Sequence, residues 1–408
     1  MHNAPLRPAI LIALACLSIY TNPIAADQGH LIIIGGALKS DNHMIYDPII
    51  HLGGGPTVPI AIVPTASGEW ERSSKSYDED FAGRGMEHRT IVPVHMDTYA
   101  LAAEPATAGI IGNQRILFFT GGDQSRILAA YRPETGDTLS HFAMQRMLAR
   151  GGVIAGSSAG AAMMSDPCIR WGNSEEALLL GESDAEDRGV RIDRGMGFFP
   201  YGLTDQHFLA RGRYGRLAVA LERTGTRLGF GICENRAFHA DLAAKSITAL
   251  GGPQALLVID MAGATRDGLS LSGVRISLLG AGDRIDPTTV TMSPNPARLP
   301  LSHINAESAE PTTLPNPWGD FVLNDLLLAL AFGPSPSASA SSENFQVVVT
   351  RDNSSQFLAM PGVDHTTDPR TADFTALHVR LDFIANPAAP ENARTLLAEI
   401  AAEAASTE

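Results

Sequence analysis

Lysine is nearly absent from this 408-residue chain: it occurs only at Lys39, Lys75 and Lys245, so arginine supplies most of the 30 positive charges. Acidic residues number 44, which leaves a formal net charge of −14. A surface of that sign repels phosphate backbones and anionic bilayers, which excludes general nucleic-acid and membrane-surface binding. Cysteine is scarce too, at Cys16, Cys168 and Cys233. Three cysteines cannot make a disulfide scaffold, although one bridge between Cys168 and Cys233 remains open in an oxidising compartment. The chain lacks an H-E-x-x-H motif and any Cys/His group at ligand spacing, so no metal and no other cofactor is expected. Beyond residue 26 no apolar run is long enough to anchor the protein in a bilayer.

What is present begins with a leader. Met1 to Arg7 is followed by an uncharged apolar stretch from Ala9 to Tyr20, then by Ile24-Ala25-Ala26 ahead of Asp27. A basic start, a short hydrophobic run and small residues at the cut form the layout of a secretory signal. Residues 1–26 are therefore expected to be removed and the protein secreted, to the extracellular space or the periplasm. A buried first element and a lipoprotein signal at Cys16 are the alternatives; Ala13-Leu14-Ala15 matches the latter poorly. The chain from residue 27 onward is long enough for one large domain and a smaller one.

Short β-type runs recur at Leu31-Ile34, Ile60-Val63, Thr90-Val94, Ile116-Phe119, Val153-Ala155 and Leu228-Ile232, with helical segments between them. This alternation predicts an α/β fold: a mostly parallel sheet with helices on both faces, whose ligands bind beyond the strand C-termini. Ala255-Asp260 and Val274-Leu279 are expected to complete a catalytic domain over residues 27–292. Pro-rich sequence then begins, and Pro334 to Ser342 reads as an exposed linker. Residues 293–408 are expected to form an appended α+β extension that packs on the core or lengthens the substrate groove.

The strongest chemical signal is Gly156-Ser157-Ser158-Ala159-Gly160 after the apolar run Gly152-Val153-Ile154-Ala155. A G-x-S-x-G turn between strand and helix strains its middle serine and exposes the hydroxyl. A plain Gly/Ser-rich loop fits the pentapeptide equally well, so the rest of the chain decides. A serine nucleophile needs a base and a group to orient it. Thr204-Asp205-Gln206-His207 starts a helical pattern that runs through Leu217 and Leu221. With Thr204 or Asp205 as N-cap, His207 falls in the first helical turn, where the dipole keeps the ring neutral. Glu234 follows the buried run Leu228-Ile232 and is placed to hold His207, with Asp205 and Asp166 as rival acids. The order Ser158, His207, Glu234 differs from the serine, acid, histidine order of α/β-hydrolase esterases. An esterase would require a late histidine, His303 or His365.

Four ordered segments carry a family resemblance: Gly121-Gly122-Asp123-Gln124; Gly156 to Ala161; Asp205-Gln206-His207-Phe208 followed by Arg211-Gly212-Arg213 and Arg216; and Gly231-Ile232-Cys233-Glu234. Over roughly residues 30 to 290 the chain resembles the cyanophycinase and peptidase E family of serine peptidases. The resemblance implies a fold akin to class I glutamine amidotransferases and a homodimer. It also implies Ser158 as nucleophile, His207 as base and Glu234 as its partner. Gln124 and the segment Asp205 to Arg216, including Gln206, Arg211 and Arg213, are implied to line the substrate groove. The chain departs from the family at Leu38-Lys39 and Cys233, where acids are common, and in its long C-terminal region. That region and the leader suit an extracellular member.

The substrate the resemblance implies is cyanophycin, a poly-aspartate whose β-carboxyls carry arginine through isopeptide bonds. Each unit shows a guanidinium and a free α-carboxylate. Arg211, Arg213 and Arg216 would offer planar forks to carboxylates, and Asp205 and Asp123 would suit guanidinium groups. A solvated helix face paired with nearby acids is the alternative reading of the arginines. Backbone N–H groups of Gly122 or Asp123 and of Ala159 are expected to hold the oxyanion, with release of β-Asp-Arg through an acyl-enzyme. An Asp-X or isoaspartyl dipeptidase of the same family, an esterase and a non-catalytic binding protein are the other readings.

Overall fold

The computed structural model describes residues 29–185, 188–301, 310–363 and 371–407. The leader, His303 and His365 lie outside the described residues.

Five parallel strands form one half of a nine-stranded sheet. His30–Ile34 lies beside Val153–Ser157, followed outward by Ile116–Phe119, Ile60–Val63 and Arg89–Ile91. Three of these are buried throughout and His30–Ile34 is buried from Leu31 on, with mostly apolar residues, as a sheet covered on both faces demands. Side chains alternate between the faces. Ile32 and Ile34 pack with Ile45, Tyr46 and Phe81 from the helices His43–Gly53 and Trp70–Ala82. Leu31 and Ile33 turn the other way, toward the cluster holding Ile127 and Met144 of the helices Gln124–Tyr131 and Leu139–Ala149. On the opposite edge, Ala237–Asp241, Ser246–Leu250, Arg284–Asp286 and Thr291–Ser293 extend the sheet with antiparallel pairings.

The α/β class with a parallel sheet is thus present, but the strands divide between two large sheets. Leu228–Ile232, expected in the first sheet, pairs with Leu203–Asp205 and Leu256–Asp260 in the second. That sheet continues antiparallel through Ser270–Leu279, Phe374–Ala385, Phe345–Thr350 and Ser337–Ser341. The C-terminal residues are therefore built into the sheet whose strands lead to His207 and Glu234. The boundary expected at residue 292 falls inside the strand Thr291–Ser293, and the expected linker from Pro334 contributes the strand Ser337–Ser341. Phe345, Phe374 and Phe383 share one apolar cluster with Leu217, Leu257 and Leu278, so no second core starts there. Thr90-Val94 is shorter than expected, with the strand confined to Arg89–Ile91.

Candidate active site

Ser158 occupies the turn between Val153–Ser157 and the one-turn helix Ala159–Ala162, at φ 54 and ψ −110. A non-glycine residue holds this conformation only where its surroundings over-determine it. Here its N–H donates to the Ile34 carbonyl at 3.0 Å, and its carbonyl accepts from Ala161 and Ala162 at 2.8 and 2.9 Å. The small neighbours are required by contact. A Cβ on Gly156 would lie 2.2 Å from the Gly160 carbonyl oxygen.

His207 is not in a helix. Leu203–Asp205 is a strand, residues 206–213 form a turn, and the helix begins only at Tyr214 and runs to Thr224. The expected N-cap is committed elsewhere: the Thr204 hydroxyl donates to the Ala161 carbonyl at 2.9 Å and its backbone lies in the parallel ladder. His207 takes a left-handed φ of 50, and its N–H donates to the Gly35 carbonyl at 2.8 Å. Its Nε2 lies 2.9 Å from Ser158 Oγ, and its Nδ1 lies 2.5 Å from Glu234 Oε1. The ring's proton affinity is lowered, first by burial and then by the Arg211 charge, against the opposing pull of Glu234. Neutrality thus comes from burial and not from a helix dipole. With Nδ1–H donated to Glu234, Nε2 is left as the acceptor for the serine proton, which is the tautomer a general base needs.

Glu234 follows the strand Leu228–Ile232, as expected. The rival acids are engaged elsewhere: Asp166 with Arg132 at 2.7 Å, and Asp205 with Arg216. Ser158, His207 and the residue after Glu234 hang from one loop. Successive carbonyls of Ile34, Gly35 and Gly36 accept the N–H groups of Ser158, His207 and Asn235. Asn235 Oδ1 in turn accepts from the Lys39 N–H and from Asn42 Nδ2, both at 3.0 Å. In sequence Gly35-Gly36 reads as a plain turn, and Asn235 carries no signal of its own. A Gly-Gly pair directly after a buried strand is the available clue. Gly36, at φ +96, also makes room for the imidazole: a Cβ there would lie 2.3 Å from His207 Cε1.

The chain matches peptidase family S51 over residues 31–244, more than half of its length. It is 31% identical over 278 residues to a cyanophycinase of Geminocystis herdmanii, spanning 64% of this chain and 95% of that protein. The chain belongs to peptidase family S51. This S51 chain is also 28% identical over 282 residues to a cyanophycinase of Synechococcus elongatus, covering 67% of this chain and 84% of the relative. A crystal structure of a peptidase from an acI-B1 Actinobacterium superposes with a TM-score of 0.45 at 18% identity, over 58% of this chain and 91% of that one. Membership makes the S51 chain a serine-type hydrolase.

Around the serine of this S51 peptidase, the other expected residues divide. Asp123 is not an oxyanion donor: its N–H already donates to the Ala66 carbonyl at 2.9 Å, and its side chain caps the helix Gln124–Tyr131 through the Ser125 N–H. Gly122 and Ala159 remain as candidates, since Ala159 follows Ser158 in the chain and a Cβ on Gly121, which precedes Gly122, would touch Ser158 Cβ at 3.3 Å. Asp205 and Arg216, expected in the substrate groove, form an ion pair inside the protein, 1% and 3% exposed, with Arg216 Nε on Asp205 Oδ2 at 2.8 Å. Gln124 faces inward as well, with its amide nitrogen on the carbonyls of Ile169 and Arg170. Arg213 is mostly buried, and its Nη1 donates to the Gln206 carbonyl at 2.8 Å. One expected contact stays available, since Arg211 is exposed; the Gln206 side-chain oxygen is buried without a hydrogen-bond partner among the described residues.

Cys168 and Cys233 are both buried and free, so the bridge left open by the sequence is not formed. Burial pushes the Cys233 thiol up to about 12, which makes it inert. Among the described residues no group of three His, Cys, Asp or Glu side chains is placed to hold a metal ion.

Proposed function

We propose that the protein is a secreted cyanophycin-degrading serine peptidase that releases β-Asp-Arg. The observation that carries this reading is the ordered contact of Ser158, His207 and Glu234 at 2.9 and 2.5 Å, in a chain whose relatives are cyanophycinases. His207 Nε2 takes the Ser158 hydroxyl proton as Oγ attacks an aspartyl peptide carbonyl. The N–H groups of Gly122 and Ala159 hold the oxyanion, each donor being worth roughly 3 to 4 kcal/mol in comparable sites. The imidazolium then protonates the leaving amide nitrogen, the C–N bond breaks, and an ester on Ser158 remains. Water, deprotonated by the same His207, cleaves that ester and restores the serine.

Substrate recognition in this reading falls to the exposed Arg211 guanidinium for a branch carboxylate, with Gln206 buried in the same turn. The Asp205–Arg216 pair supports them from beneath. Export follows from the leader, and a homodimer from the family resemblance. The test is incubation of the purified protein with insoluble cyanophycin and mass analysis of the supernatant. β-Asp-Arg should appear with the native chain and not with Ser158→Ala. Cleavage of soluble Asp-X or isoaspartyl dipeptides without release from the polymer would replace this reading by that of a dipeptidase. Mature N-terminal sequencing of exported protein tests the leader, and sedimentation velocity tests the dimer.

A further inference from the structure

A cleft of about 660 Å³ opens beside Gly122, between the turn after Ser67, the helix Trp70–Ala82 and Arg126. Its volume lies in the ~300–1,000 Å³ range of small-molecule sites. Apart from Asp123, none of its charged residues belongs to the motifs discussed above. Glu69 and Arg72 close on one another at 3.0 Å, both well exposed, and Asp123 is held as a helix cap. Two opposite charges remain for a ligand. Asp80 uses one carboxylate oxygen on the Tyr46 hydroxyl at 2.6 Å and keeps the other. Arg126 places Nη1 at 3.3 Å from the Ala66 carbonyl, which leaves the rest of its fork free to meet a carboxylate.

We propose that this cleft is a second subsite, which holds one branched unit of the substrate next to the cleaved bond, with its guanidinium on Asp80 and its α-carboxylate on Arg126. The inference rests on the cyanophycin reading above and extends it to residues which that reading does not use. The position follows from Gly122, which lines the cleft and is the oxyanion donor of the proposed mechanism. A chain threaded past Ser158 must run by it. A ligand carrying a cation and an anion on one short branch matches the two free charges. A neutral peptide would leave both facing water.

Calorimetric titration of the full-length Ser158→Ala protein with the β-Asp-Arg dipeptide and with β-Asp-citrulline tests the assignment. Citrulline keeps the shape of arginine and loses its charge. β-Asp-Arg should bind about tenfold tighter, the effect of one lost hydrogen bond to a charged group. Adding Asp80→Asn should erase that preference. Adding Arg126→Gln should weaken both dipeptides and leave indifferent a version with its branch carboxylate amidated. Ser76→Trp, at an exposed helical position lining the cleft, should block binding without affecting the fold. A citrulline discrimination that survives Asp80→Asn, or no binding of β-Asp-Arg at all, overturns the subsite. Release from cyanophycin by the native chain is scored separately. Polymer turnover with Asp80-independent binding rejects the subsite alone; Asp80-dependent binding without polymer turnover rejects the function alone.

Discussion

Replacing Gly36 with alanine is expected to disable the enzyme while leaving Ser158, His207 and Glu234 in the sequence. The added Cβ would sit 2.3 Å from His207 Cε1 and 2.4 Å from Nε2. Non-bonded heavy atoms rest at ~3.5–4.0 Å, so the ring must retreat by more than about 1 Å. Its two hydrogen bonds, at 2.9 and 2.5 Å, tolerate no such shift. Nε2 leaves the ~3.2 Å reach of a general base, and a misplacement of ~1 Å costs on the order of a hundredfold in rate. Alanine at φ +96 also carries strain of about 1–3 kcal/mol, which lowers stability independently of the contact. Gly55 separates the two effects, because it has φ +100 and nothing within 4 Å of a built Cβ. Gly55→Ala should lose thermal stability to a similar extent and keep its kcat. Steady-state kinetics on soluble cyanophycin, run well below the Tm of each variant, gives the comparison. A Gly36→Ala enzyme within threefold of the native kcat, or equal losses in both variants, would refute the argument that this glycine seats the base.

The same geometry sets three further outcomes. Burial holds the His207 pKa below its ordinary 6.5, so the base form is present above that lowered value, and kcat/KM should fall only as pH drops beneath 6.5. Because Glu234 raises and Arg211 lowers this pKa, the acid limb should move further down in Glu234→Gln and up in Arg211→Gln; a limb that both variants leave unmoved assigns it to another group. Asp205→Ala strands Arg216 in the interior and should cost about 3–5 kcal/mol by denaturant melt, whereas Asp205→Leu with Arg216→Met should recover most of it. A chain cut after residue 292 should not fold, since it loses the strand Phe374–Ala385 that pairs with Ser270–Leu279; a cooperative melt of the truncated protein would show that the sheet tolerates the cut.

Legibility in the sequence tracks the distance of the partners that shape each segment. Ile60-Val63, Ile116-Phe119 and Leu228-Ile232 match their strands residue for residue, because a run buried on both faces announces itself by composition. Ser158 and Glu234 are legible for a similar reason, since each follows such a run directly. Assignment of the strands to sheets is not. Leu228–Ile232 cannot be placed beside Leu256–Asp260 from its own residues, as nothing in an apolar run encodes its neighbour. The C-terminal region looks separate in sequence because its proline-rich entry resembles a linker, yet it closes the same sheet.

Residues 204–213 show what local pattern omits. Leu217 and Leu221 do mark a helix, and the pattern extends back to Thr204 in sequence because that residue and Asp205 are good caps. Each has a stronger distant partner: Thr204 meets the Ala161 carbonyl, and Asp205 meets the Arg216 guanidinium. Those contacts hold the backbone extended up to His207, where the Gly35 carbonyl takes its N–H and the absence of a side chain on Gly36 admits its ring. A helix starting at residue 204 would have carried the imidazole away on its own axis. The strand and turn bring it beside Glu234, which follows the neighbouring strand of the second sheet, and within reach of Ser158 at the end of a strand of the first. Burial there supplies the neutrality expected of a helix dipole. The expected contacts of Ser158, His207 and Glu234 are therefore reached through a local structure other than the expected one, because the residue types constrain which side chains meet more tightly than they constrain the path of the backbone between them.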